Sequence, residues 1–165
     1  MLKLLPIRKS IQLRRPNYLG QQIYFATLCC FAGRSVFKPP ARCSWLLELL
    51  SKEATSTHFS VHAYCLMPDH LHFLAQGLHA GADFLHFLKS FKVKTSRGYS
   101  QEQGQALWQR RFFDHVLRPS DPLESFAWYI WLNPVRRGLA STPEKYPYSG
   151  SFSGMKMPLA WAQPQ

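Results

Sequence analysis

His70-Leu71-His72 places two imidazoles two residues apart. On a strand, residues i and i+2 share a face, so both imidazoles project to one side while Leu71 and Phe73 point to the other. The pair is a candidate metal site; in a chain with seven histidines, a chance His-x-His is the plainer alternative. Tyr129 and Asn133 stand four residues apart, which puts them one turn from each other on a single helix face. At about 100° per residue, the apolar stripe of Leu123, Ala127 and Ile130 is centred roughly 130° from Tyr129. Tyr129 is therefore poorly placed to be a core residue, and its hydroxyl can either react or simply face water.

These residues need a scaffold, and the chain supplies one. Gln21 to Phe31 is rich in β-formers and ends near Gly33, predicting a core strand. Ala41 to Ala54 carries Trp45, Leu46, Leu49 and Leu50 at helical spacing. His58 to Met67 alternates Phe59, Val61, Ala63 and Cys65 against His62, Tyr64 and Leu66; the Pro68-Asp69 turn then leads to a partner strand, His70 to Gln76, forming a hairpin. Phe84, Phe87, Leu88 and Phe91 predict an amphipathic helix over Asp83 to Arg97, followed by a loop over Gly98 to Ala106. Leu107 to Leu117 reads as a strand. A last helix is expected to start with Asp121 as cap, Pro122 at the first position and Glu124 completing a capping box, and to run to about Asn133. The order strand, helix, hairpin, helix, strand, helix predicts an α+β protein: a ferredoxin-like antiparallel sheet with helices packed on it.

The 165 residues, 46% of them hydrophobic, suffice for one core. Residues 1–20 read as a basic arm, 21–149 as the functional domain and 150–165 as a flexible tail. Twenty Lys and Arg against nine Asp and Glu give a net charge of +11, which favours an anionic partner, nucleic acid first. The four cysteines form no C-x-x-C pair, so free, mostly buried thiols in a reducing cytoplasm are expected. The N-terminus lacks the apolar stretch of a signal peptide, and no run approaches the roughly 18 apolar residues of a membrane span.

Taken together, four blocks in this order resemble one family. They are L-M-P-D-H-L-H at 66–72, F-L-K-S-F-K at 87–92, L-W-Q-R-R-F-F-D-H-V-L-R at 107–118 and Y-I-W-L-N-P-V-R-R-G-L at 129–139, with Y-P-Y-S at 146–149 besides. The chain resembles the HUH single-tyrosine transposases, and within them the REP-associated tyrosine transposases, over about residues 18–150. The resemblance implies that His70 and His72 are metal ligands, that Asn133 is a third, amide ligand and that Tyr129 is the nucleophile. It also implies a substrate of single-stranded DNA, short hairpins beside a tetranucleotide.

The chemistry fits that inventory. Phenols ionise near pH 10, so a tyrosine nucleophile gains most from a metal that polarises the phosphate. Two imidazoles and an amide oxygen leave positions open and suit Mg²⁺ or Mn²⁺, whereas structural zinc wants four protein ligands and no cysteine lies nearby in sequence. Attack would give a 5′-phosphotyrosine and a free 3′-hydroxyl, so strands can be rejoined without ATP. Lys89, Lys92, Lys94, Arg97, Arg110, Arg111, Arg136 and Arg137 are the candidate phosphate contacts. Trp108, Phe112 and Phe113 are candidate base-stacking residues, although the last two alternate on a strand and one should face the core. The resemblance to the REP-associated branch implies a monomer rather than the dimer with the tyrosine acting in trans that is common in the wider transposase family. Two other readings compete: a non-catalytic nucleic-acid-binding module, and a metal-dependent nuclease that uses water and leaves Tyr129 structural.

Overall fold

The computed structural model describes residues 15–157. Five antiparallel strands form one sheet: β1 (Ile23–Cys29), β2 (Phe59–Met67), β3 (His70–Gly77), β4 (Phe113–Val116) and β5 (Ser149–Gly150), in the spatial order β4-β1-β3-β2-β5. Helices α1 (Pro40–Ser56) and α2 (Phe84–Gln103) cover one face. Helix α3 (Leu123–Trp131) and the single turn α4 (Asn133–Arg136) lie on the other. This is the expected α+β, ferredoxin-like architecture.

Strand β3 is buried on both sides, and its alternation divides the molecule. Leu71, Phe73 and Ala75 enter the core under α1 and α2, with Leu46, Leu50, Phe87 and Phe91. Leu74 enters the smaller core under α3, with Phe126, Ala127 and Ile130, on the same side as His70 and His72. A bulge between Val61 and Ala63 interrupts β2. Phe59 and Val61 face α1 and α2, whereas Ala63, Cys65 and Met67 face α3. The uninterrupted alternation expected for this strand is thus corrected: the extra residue of the bulge moves the rest of the strand to the other face.

Other boundaries differ from expectation for local reasons. Helix α2 continues through most of the expected 98–106 loop, to Gln103, and ends on Gly104 at φ 65°. Gly98, which looks like a helix breaker, serves there as a contact surface, since a Cβ would come within 2.8 Å of Trp45 Cζ2. Tyr99 is buried beyond it. Within the expected strand 107–117 only Phe113–Val116 is regular; Trp108 makes a single bridge to Cys30. No capping box forms, because the Asp121 carboxylate accepts from the Arg118 amide and Pro122 occupies the cap position of α3. The helix stops at Trp131, and Asn133 opens α4 with Pro134 in its first turn.

The arm and tail boundaries also move. Lys3, Arg8, Lys9 and Arg14 lie outside the described residues, but Arg15–Tyr18 forms a 3-10 turn whose Tyr18 is buried and donates to Asp114 at 2.7 Å. Residues 150–153 are not free of the fold: Trp131 Nε1 donates to the Gly150 carbonyl at 2.9 Å, and Phe152 and Ser153 donate to Val61. Cys30, Cys43 and Cys65 are buried and Cys29 half-buried, all of them free thiols. Among the described residues no helix is long and apolar enough to cross a membrane.

Candidate active site

Where β1 ends and β3 begins, a cleft of about 430 Å³ opens on the α3 side of the sheet. His70, His72, Tyr129 and Asn133 all line it, as do Arg136 and Arg137. The two imidazole rings lie 4.5 Å apart between centroids, and the Tyr129 ring lies 6.0 Å from that of His72.

The register of the strands fixes each imidazole. Thr27 of β1 is the cross-strand partner of His72, and its hydroxyl lies 2.7 Å from His72 Nδ1. Asp69, from the turn, lies 2.6 Å from His70 Nδ1. An ionised carboxylate only accepts, so His70 Nδ1 carries the proton and Nε2 keeps its lone pair. The Thr27 hydroxyl can donate or accept, so its bond to His72 Nδ1 is compatible with the same tautomer. Both rings are then oriented as metal ligands usually are, by a hydrogen bond on the far nitrogen. Neither Thr27 nor Asp69 was identifiable as a site residue from sequence: Asp69 reads as a turn residue, and the place of Thr27 depends on register with a segment 45 residues away.

Asn133 is 6% exposed, and no hydrogen bond engages its side-chain amide among the described residues. The amide is open to the cleft, where its oxygen could coordinate a cation; the buried side-chain oxygen left without a partner among the described residues is instead Tyr24 Oη. Among the described residues no group of three His, Cys, Asp or Glu side chains could hold a metal. Cys29 also lines the cleft, but burial and the nearby Asp69 carboxylate raise its thiol pKa, which keeps it protonated and weakens it as ligand or nucleophile.

Tyr129 is held through its ring. It packs edge-on against Phe25 at 5.8 Å, and the Arg136 guanidinium stands 4.5 Å over its face while Nη2 donates to the Tyr129 carbonyl at 2.7 Å. The hydroxyl has no hydrogen-bond partner among the described residues.

The expected phosphate contacts divide. Arg136 and Arg137 line the cleft, and the exposed Arg110 and Arg111 follow Gln109, another lining residue. Lys89, Lys94 and Arg97 ride on α2, over the opposite face of the sheet, and are not brought to the cleft. Lys94 pairs with the buried Glu53 at 2.5 Å. Lys92 donates to the carbonyls of Gln109 and Arg110, so it braces that segment. Of the expected stacking residues, Trp108 is core, 6% exposed with its indole N–H on Thr95. Phe112 and Phe113 pack against opposite cores, the ring of the former capped by Lys92.

Residues 21–131 match the family described as "Transposase IS200 like". The chain belongs to this transposase family. Among curated proteins, a candidate REP-associated tyrosine transposase from Haemophilus influenzae is 28% identical over 109 residues, 59% of this chain and 62% of that one. A REP-associated tyrosine transposase from Escherichia coli is 24% identical, covering 63% of each chain. The chain therefore spans about three fifths of the length of the curated relatives it matches. A solved REP-associated tyrosine transposase bound to a REP hairpin shares the fold with a TM-score of 0.71 at 21% identity, covering 86% of this chain and 82% of that one. A candidate transposase from Deinococcus radiodurans gives 0.52 at 18% identity, over 68% and 87%. The resemblance carried by the four sequence blocks agrees with these comparisons.

One consequence of the site concerns stability. Burial, reinforced by the charges of His70, Arg136 and Arg137, holds the His72 pKa well below 6.5; burial also lowers that of His70, against the opposing pull of Asp69. The unfolded chain binds these protons near pH 6.5 and the folded protein only below it, so protonation favours unfolding. Chelator-treated protein should have full stability above about pH 6.5 and lose it on acidification, by at most about 1.4 kcal/mol per pH unit per histidine. Thermal melts between pH 7 and 5.5 should show a shallower slope for His72→Asn; an unchanged slope contradicts the assignment.

Proposed function

We propose that this protein is a metal-dependent tyrosine transposase that cleaves and rejoins single-stranded, REP-like hairpin DNA through a 5′-phosphotyrosine on Tyr129. The observation that carries the reading is the convergence of four residue types in one cleft: two imidazoles with free Nε2 atoms, an unpartnered amide and a phenol, flanked by Arg136 and Arg137. The protein bound to a REP hairpin that shares this fold supports the substrate class. We place the enzyme in the cytoplasm, acting as a monomer.

His70, His72 and Asn133 would hold the ion. Bound Mg²⁺ or Mn²⁺ would supply Lewis acidity toward the scissile phosphate. Tyr129 Oη forms the new P–O bond as the bond from phosphorus to the 3′ oxygen breaks; the phenolic proton passes to solvent, and the 3′ oxygen takes one up. Arg137 offers positive charge to the phosphate, and Arg136 keeps the Tyr129 ring in place. Rejoining reverses these steps with a second 3′-hydroxyl as the attacking group.

The test is denaturing electrophoresis of labelled hairpin DNA incubated with the protein and Mg²⁺ or Mn²⁺. An adduct shifted by the mass of the chain is expected, and cutting without one contradicts the reading. Affinity should depend steeply on salt. If Arg110, Arg111, Arg136 and Arg137 meet about four phosphates of a single strand, affinity falls roughly 50-fold between about 50 and 200 mM salt. A flat titration would refute the electrostatic part.

A further inference from the structure

The end of β1 carries a feature outside the site described above. Phe31 is a large apolar side chain left 50% exposed, on a short 3-10 turn, Phe31–Gly33, that follows Cys29 after the single residue Cys30. Cys29 and Gly33, on either side of it, both line the cleft. The turn that carries the ring therefore lies beside the cleft.

The turn is built to hold it there. Ala32 sits at φ 55°, a left-handed conformation that a residue with a side chain adopts only where its surroundings impose it. Gly33 and Arg34 donate back to the Cys30 and Phe31 carbonyls, and Phe31 N donates to Leu107 at 2.8 Å. That last bond joins the turn to the segment bearing Gln109, Arg110 and Arg111. Arg34 stands 5.7 Å over the Phe31 ring, and its guanidinium is pinned by the Phe31 carbonyl, the Gln105 side chain and the Ala106 carbonyl. One side of the ring is thus buttressed by a fixed cation while half its surface meets solvent. A Cβ at Gly33 would meet nothing within 4 Å, so the approach between turn and cleft is open.

We infer that Phe31, buttressed by Arg34, is a stacking platform for one unpaired nucleobase of the DNA strand entering the cleft. A planar aromatic ring with arginines beside it matches the two parts of a nucleotide, a π-face to stack and a phosphate to neutralise. The +11 charge of the chain favours this occupant over an acidic-poor protein surface. Stacking selects an unpaired base over a paired one, so the platform contributes to the preference for single strands. The inference rests on the proposed DNA substrate, but binding reports on it separately from cleavage.

The experiment uses full-length Tyr129→Phe protein and a hairpin oligonucleotide with unpaired extensions, with binding read by fluorescence anisotropy. Adding Phe31→Ala should weaken binding about 5- to 150-fold. Phe31→Trp should retain affinity, and Phe31→Leu, apolar but without a π-face, should not. The residue is exposed, so melting temperatures should stay unchanged. Placing an abasic site at each unpaired position in turn should reveal one position where the missing base costs the Phe31 protein affinity and costs the Phe31→Ala protein nothing. Equal affinity of the two proteins for every oligonucleotide overturns the platform even if the wild type forms its covalent adduct. An abasic pattern without any adduct in the wild type keeps the platform and removes the tyrosine chemistry. Loss of self-association in gel filtration with DNA affinity intact would assign Phe31 to a contact between copies of this chain, and also overturns it.

Discussion

Tyr129→Phe should reduce covalent adduct formation by about four orders of magnitude or more while DNA affinity and melting temperature stay near those of the wild type. Everything that holds the side chain acts on the ring: Phe25 at its edge, the His72 ring 6.0 Å away and the Arg136 guanidinium over its face. All of this survives the substitution. What is lost is the oxygen that attacks phosphorus, so the effect falls on the chemical step, and no excess of Mn²⁺ should restore it. The structure also narrows the alternatives should the variant still form an adduct. Tyr24 is fully buried with its pKa pushed up to about 12 by burial, and Tyr99 is buried, so neither can reach DNA. Tyr64 packs under Phe152, and burial raises its pKa. A persistent adduct would therefore overturn the assignment of the nucleophile without moving it to any of these three tyrosines. A wild type that cuts without an adduct would favour the water-using nuclease, and one that binds but never cuts would favour the non-catalytic module.

Loss of the metal should be nearly as severe. Excess chelator, or His72→Ala, is expected to lower cleavage about a thousandfold or more, since a Lewis acid at the phosphate contributes several kcal/mol to the transition state. His72 is buried and shares its Nδ1 with Thr27, so deleting it also leaves that hydroxyl unpaired. His72→Asn keeps a polar group there and serves as the check on folding. Asn133→Ala should be milder, and high Mn²⁺ should partly rescue it, because both imidazoles remain. Calorimetric titration of Mn²⁺ into DNA-free protein gives a readout apart from activity: binding in the wild type, weaker in Asn133→Ala, absent in His72→Asn. Equal Mn²⁺ binding by all three would refute the ligand assignment.

The parts legible in the sequence are those governed by local periodicity. The strand period alone puts His70 and His72 on one face with Leu71 and Phe73 on the other, as observed. The spacing of Phe84, Phe87, Leu88 and Phe91 likewise gave the buried stripe of α2, and the order of elements gave the α+β fold. What tertiary structure decided depends on partners far apart in the chain. Strand register, not local pattern, pairs Thr27 with His72, and the bulge at Val61/Ala63 sends two halves of β2 to different cores. Gly98 continues a helix because Trp45 of another helix needs its missing side chain, while Lys94 turns to the buried Glu53 rather than toward the cleft. Charge along a helix says nothing about which side of a sheet the helix covers; α2 packs opposite the cleft because its phenylalanines meet Phe73 there, and its lysines go with it. Phe31 shows the same limit: its sequence context reads as the end of a core strand, whereas the chain turns through Phe31–Gly33 and leaves the ring half exposed.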